Sequence, residues 1–260
     1  MNRLTTIGRL FIALAMMVFG IQHFIYLEFV TRIFPPLPLW IPGHAILACI
    51  FGAFLCVTSA AILFGTHGRM LTLLLGCTAL ILFAAFRLPA LLADLSDAFL
   101  WVNSGKAMVL AGANFLVAGS LANPVAITAQ KRSMNALERL IPLGRFFLAG
   151  FLILAGVIHF IYPQFVAVLI PDWIPAHMFF AYFTGTALIT GGIGIIVPWT
   201  TRLAASLSGL MIFLWVVLLH IPRAYANFHD SNETTAAFEA LAMCGAAILV
   251  AVSSHRKGAT

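Results

Sequence analysis

The sequence predicts an all-α integral membrane protein with eight transmembrane helices, arranged as two tandem, parallel-oriented four-helix bundle repeats. Three observations predict it. Of the 260 residues, 62% are hydrophobic and 8% charged, and the mean hydropathy is +1.06, whereas soluble domains are about 25% charged. No water-soluble fold covers that much apolar surface. Successive apolar runs approach the roughly 20 residues that a bilayer requires. The chain also matches itself when slid along its own length, the sign of an internal repeat.

The apolar runs lie at 9–26, 43–65, 69–89, 104–122, 142–162, 175–197, 201–222 and 236–253, separated by proline, glycine or charged residues. The first follows Arg3 and Arg9 as a secretory signal would. It lacks an Ala-x-Ala-like cleavage site and has a counterpart mid-chain, so it reads as a retained helix.

At an offset of 136, Gly8-Arg9 falls on Gly144-Arg145, Gly20 on Gly156, His23 to Tyr26 on His159 to Tyr162, Phe29-Val30 on Phe165-Val166, and Pro35 on Pro171. The first copy then carries three extra residues within Pro36 to Leu39, and the offset becomes 133. There Trp40 to Pro42 meets Trp173 to Pro175, His44 meets His177, Gly52 meets Gly185, Arg69 meets Arg202, Gly76 meets Gly209, Pro89 meets Pro222, Asp97 meets Asp230 and Gly112 meets Gly245. Identities in order across four successive segments with one gap indicate duplication. The repeats are expected at 1–128 and 141–260, joined by a polar linker over 129–140.

Orientation follows from charge, because short cytoplasmic loops accumulate Lys and Arg. With both termini cytoplasmic, Arg3, Arg9, Arg69, Lys131, Arg132, Arg139, Arg145, Arg202, Arg256 and Lys257 lie inside, while Arg32, Arg87, Lys106 and Arg223 lie toward the far side. Every acidic residue except Glu138 also falls on the far side. Each repeat has an even number of spans, so both enter the membrane in the same sense and are related by a pseudo-two-fold axis along its normal. The formal charge of +6 is scattered between spans and forms no basic stripe for nucleic acid. The partner implied is the lipid bilayer.

Cys49, Cys56, Cys77 and Cys244 all sit inside apolar segments with no C-x-x-C pair, so they read as packing residues and not as a disulfide framework or dithiol centre. The P-loop, Rossmann, nucleophile-elbow and zinc motifs are missing. That argues against soluble-enzyme chemistry.

The polar residues that stand out gather at the far end. Each copy has a glycine, then His-Phe-Ile-Tyr closing its first helix, a proline-containing loop, and Trp-Ile-Pro-x-His opening its second. Arg87 and His220 stand two residues before the shared proline of the third helix. The candidate ligand-binding residues are therefore His23, Trp40, His44, Arg87, His159, Trp173, His177, His220 and Arg223. Ionisable groups at membrane depth are costly and point to function. The competing reading is that such groups near helix ends snorkel to headgroups or cap loop carbonyls. Paired histidines can ligate metal, and His23 and His159 would flank a haem across the axis, but no H-E-x-x-H-like spacing is present and neither group is expected.

Gly156 to Phe160, Pro171 to Pro175, Gly185 to Gly194 and His220-Ile221-Pro222 together resemble the motifs of the DoxX family of small bacterial membrane proteins. The resemblance covers nearly the whole chain as two fused units, the second matching better because Arg87 replaces the histidine in the first. It implies a bacterial inner (cytoplasmic) membrane protein, possible quinone as cofactor, and a redox partner, soluble or membrane-bound, such as a thiosulfate:quinone oxidoreductase. The chain departs from the family in having Thr184-Gly185-Thr186-Ala187 where an acidic residue is common, and no acid between Glu28 and Asp94. The leading expectation is a quinone- or lipophile-binding membrane subunit of a redox complex with its polar site near the outer face. The alternatives are a small-molecule permease and a non-catalytic assembly partner.

Overall fold

The computed structural model describes residues 3–30, 32–34, 37–38, 40–65, 67–121 and 135–255. Pro35, Pro36 and Leu39 of the first long loop, Gln130 to Ser133 of the linker, and Arg256 and Lys257 lie outside the described residues.

The described regular elements are all helical. Seven helices are long and apolar enough to cross a membrane: Arg3–Tyr26, His44–Phe64, Gly68–Ala93, Ala136–Ile161, His177–Ile196, Thr201–Ala226 and Ser231–Ser254. This is the makeup of a multi-pass membrane protein. Ala98–Ser120 is 23 residues long but carries Asn103, Lys106 and Asn114 and is not among the seven. In chain order we name α1 (Arg3–Tyr26), α2 (His44–Phe64), α3 (Gly68–Ala93), α4 (Ala98–Ser120), α5 (Leu143–Ile161), the short α6 (Pro163–Leu169), α7 (His177–Ile196), α8 (Thr201–Ala226) and α9 (Ser231–His255).

Local chemistry explains the helix ends. Asp97 caps α4 by accepting hydrogen bonds from the amides of Phe99 at 2.7 Å and Leu100 at 3.2 Å, and Asp230 accepts from the amide of Asn232 at 2.8 Å as α9 begins. Both helices start earlier than the apolar runs at 104 and 236 suggest, because the aspartate and not the first apolar residue sets the start. The third helix of each half was expected to stop at its proline, at Pro89 and Pro222. It continues instead to Ala93 and Ala226 through one wide turn, Phe83–Arg87 and Val216–His220, where Leu88 N–H bonds Phe83 O and Ile221 N–H bonds Val216 O. A proline has no N–H and its ring clashes with the carbonyl four residues earlier, here Ala85 and Leu218. Widening to a five-residue hydrogen bond absorbs both defects without ending the helix.

The eight long helices close into one ring and not into two separate four-helix bundles. The order around it is α1, α2, α3, α4, α5, α7, α8, α9 and back to α1, with α4 also packed on α9 across the centre. Glycine selects these partners. A Cβ on Gly245 of α9 would lie 2.7 Å from the Gly8 carbonyl oxygen of α1, and one on Gly144 of α5 would lie 2.6 Å from the Gly112 oxygen of α4. Backbones approach this closely only where side chains are missing. The fourth helix of each half therefore seats against the first helix of the other, and α9 becomes the most enclosed span, 78% buried against 28–44% for the other six. In α4, every residue from Val109 to Ala118 is buried.

Directions follow from paired contacts. Arg9 Nε donates to Ser120 Oγ at 2.8 Å and Asn114 Nδ2 approaches Met16 Sδ at 3.8 Å, so α1 runs antiparallel to α4. Gly112 meets Gly144 while Gly105 meets Phe151 and Leu154, so α5 is antiparallel to α4 as well. Helices α1 and α5 are thus parallel, and the loops bearing Trp40 and Trp173 lie at the same end of the bundle.

Candidate functional site

His23 and His159 are built alike. Each ring Nδ1 lies 2.7 Å from the carbonyl four residues earlier, Phe19 for His23 and Ala155 for His159. A carbonyl only accepts, so Nδ1–H donates and Nε2 keeps the lone pair. Glycines in the neighbouring helix make room for both. A Cβ on Gly52 would stand 2.9 Å from His23 Cβ, and one on Gly185 would stand 2.8 Å from His159 Cβ.

Their surroundings differ. His23 is fully buried, ringed by Phe29 at 5.5 Å, Phe51 at 5.6 Å and Phe34 at 6.0 Å, and its Nε2 has no hydrogen-bond partner among the described residues. His159 is half-buried and stacks on Trp215, centroids 6.5 Å apart and planes 18° from parallel. The α4–α9 pair stands between α1 and α5, so the two imidazoles face separate spaces. Among the described residues, no group of three His, Cys, Asp or Glu side chains is placed to hold a metal ion.

The remaining sequence candidates disperse around that end. His44 Nε2 lies 3.0 Å from the Pro38 carbonyl and closes the loop before α2. His177 opens α7 and is half-buried. Trp40 and Trp173 are 80% and 68% exposed, as befits residues of a membrane interface. Arg87 is buried at the end of the wide turn of α3. Arg223 forms a two-point ion pair with Glu233, Nε to Oε2 at 3.1 Å and Nη2 to Oε1 at 2.5 Å. His220 ends the wide turn of α8 and is half-buried.

Sequence reasoning did not single out the densest polar group. Glu239 of α9 receives Arg32 Nε at 3.0 Å and Lys106 Nζ at 2.9 Å, both on Oε2, with side-chain exposures of 4% for Glu239, 12% for Lys106 and 33% for Arg32. Lys106 and Glu239 are 133 positions apart, the same offset that matches Asp97 with Asp230 and Gly112 with Gly245. Identity matching passes over such a pair because the residues are opposite in charge. Nearby, Thr235 Oγ1 donates to Gln22 Oε1 at 3.1 Å across the α1–α9 seam.

On the opposite side of α9, an apolar groove of about 490 Å³ opens between α1, α8 and α9, walled by Phe11, Phe213, Val217, Thr234, Phe238 and Leu241 among others. None of the nine sequence candidates lines it, although the segment carrying His220 and Arg223 supplies Val216, Val217, Ile221, Ala224 and Tyr225 to one wall. Tyr225 is 85% exposed, so the groove opens to the outside of the bundle.

Residues 148–257 match the family described as a domain of unknown function, DUF8561. No curated protein and no solved structure matches the chain.

Proposed function

We propose that this chain is a DoxX-like membrane subunit, two fused four-helix units with eight spans, that holds a quinone or similar lipophile between its first helix and its last two and serves a redox partner in a bacterial inner membrane, with both termini cytoplasmic. The observation that carries the reading is the groove between α1, α8 and α9. Its volume of about 490 Å³ and almost wholly apolar walls match those of small-molecule sites, which run roughly 300–1,000 Å³. It opens beside lipid, where a lipophile partitions. The wide turn of α8 forms one wall and carries His220 on the same five residues. Wide turns of this kind recur at functional sites. A bound cofactor would carry the electrons, and the chain's own residues would bind and orient it.

The first half supplies the control. Trp101 stands 133 positions before Thr234, so Thr234→Trp gives the groove the bulk that the other half carries there. Protein purified in mild detergent is expected to retain quinone on organic extraction and to be stabilised against heat by added quinone. Thr234→Trp is expected to lose both while keeping its helical circular dichroism. Wild-type protein that retains no quinone and is not stabilised by it would end this reading.

A further inference from the structure

The Arg32–Lys106–Glu239 cluster is unbalanced in two ways. Two cations meet one carboxylate, leaving one surplus positive charge, while the adjacent Arg223–Glu233 pair neutralises itself. Charge held away from water is costly unless paired. The donors are also underused: Arg32 spends only Nε–H and Lys106 one N–H on Glu239, out of five and three available. Glu239 has the reverse deficit. Its Oε2 takes both cations while Oε1 is buried with no hydrogen-bond partner among the described residues. A buried acceptor without a donor is rare in folded proteins.

One kind of ligand meets all three demands. It must offer anionic oxygens to Arg32 and Lys106 and an O–H to the free oxygen of Glu239. We propose that Arg32, Lys106 and Glu239 form a binding site for a tetrahedral oxyanion that still carries a proton, namely hydrogen phosphate or a phosphate-monoester headgroup. Access is through Arg32, whose side chain is one-third exposed. Its loop follows α1 at the end of the bundle that bears Trp40. The carboxylate is the selective element. An ionised carboxylate only accepts hydrogen bonds, so it repels sulfate, which has the same shape but no proton at neutral pH. The site lies on the other face of α9 from the groove and does not depend on what the groove holds.

The test uses the full chain in a sugar-based detergent free of phosphate, titrated by calorimetry with inorganic phosphate or sulfate at matched ionic strength and neutral pH. Phosphate is expected to bind saturably and at least about tenfold more tightly than sulfate, since sites built around a hydrogen bond reject analogues that cannot make it. Glu239→Gln, whose amide also donates, is expected to bring the two anions to similar affinity. Arg32→Gln, altered at the exposed mouth where folding is least at risk, is expected to abolish binding of both. Short-chain phosphatidic acid separates the sources: tighter binding than inorganic phosphate marks a lipid headgroup, and weaker binding marks the free ion. Either result supports the site. Equal binding of phosphate and sulfate by the wild type, no saturable binding of phosphate or phosphatidic acid, or unchanged binding in Arg32→Gln would overturn it.

Discussion

His23 lies sealed among Phe29, Phe34 and Phe51, whereas His159, held by the same bond to the carbonyl four residues earlier, lies half-buried against Trp215. The same split recurs along the two halves. Phe51 is matched by Thr184, Leu82 by Trp215, Trp101 by Thr234 and Lys106 by Glu239, all at the offset of 133. Positions that bring backbones together stay small. Gly20 faces Gly52 as Gly156 faces Gly185, and Ser59 Oγ donates to Ala13 O at 2.6 Å where the matching Gly192 lies against Ala149 O. The seams are shared and the fillings are not.

The largest effect is expected at the centre, where the halves differ by an inverted charge. Removing one member of a buried ion pair strands the other, at a cost of about 3–5 kcal/mol. Glu239→Leu, which strands Arg32 as well as Lys106, should therefore destabilise strongly, and Lys106→Met less, because Glu239 then keeps Arg32 at 3.0 Å. The exchange Lys106→Glu with Glu239→Lys should recover part of the loss, but not all, because Arg32 then faces a cation. Unfolding by SDS titration in detergent micelles measures all three. If the exchanged protein were no more stable than the single variants, the two positions would not be equivalent across the centre.

Seven long apolar helices were legible in the sequence because bilayer thickness imposes a length and glycines must recur where helices cross. Partner choice was not. An internal match says that Gly8 corresponds to Gly144 and Gly112 to Gly245, but not whether α1 closes on α4 or on α9. That is decided by which backbones fit, and they fit across the halves. The candidate site was legible in depth, since the histidines and tryptophans do share one end, but not in company. His23 and His159 are separated by α4 and α9, and the cluster that does form unites Arg32, Lys106 and Glu239 from the first loop and two distant helices. The prolines misled for a local reason: Pro89 and Pro222 read as stops, and a wide turn carries the helix through them.

The crossings provide a smaller and sharper comparison. An Ala Cβ at Gly144 would stand 2.6 Å from the Gly112 carbonyl oxygen and 2.7 Å from Leu116 Cγ, whereas one at Gly8 would stand 3.0 Å from the Gly245 oxygen and from Leu249 Cγ. Overpacking of this kind costs about 1–3 kcal/mol. Gly144→Ala should fall in the upper part of that range and Gly8→Ala in the lower, because both sites meet a carbonyl oxygen and a leucine but the contacts at Gly144 are the shorter. The same SDS titration ranks them, and the reverse order would mean that the two seams are not packed as described.

The smallest effect sits at the start of the second helix of each half. Gly43, before α2, has φ of 75°, and its counterpart Ala176, before α7, has φ of 57°. Glycine occupies this left-handed region freely, but an alanine there brings its Cβ against the following carbonyl at a cost of about 1 kcal/mol. Ala176→Gly should thus stabilise the protein by about 1 kcal/mol, an unusual direction for a glycine substitution, and Gly43→Ala should cost about the same. Among the described residues nothing lies within 4 Å of a Cβ built on Gly43, so its penalty would be conformational and not steric. Opposite signs for these two substitutions would tie both helix starts to one backbone geometry. A loss of stability in both would mean that Ala176 keeps the left-handed turn at no cost, and that this pair of helix starts has diverged as the fillings have.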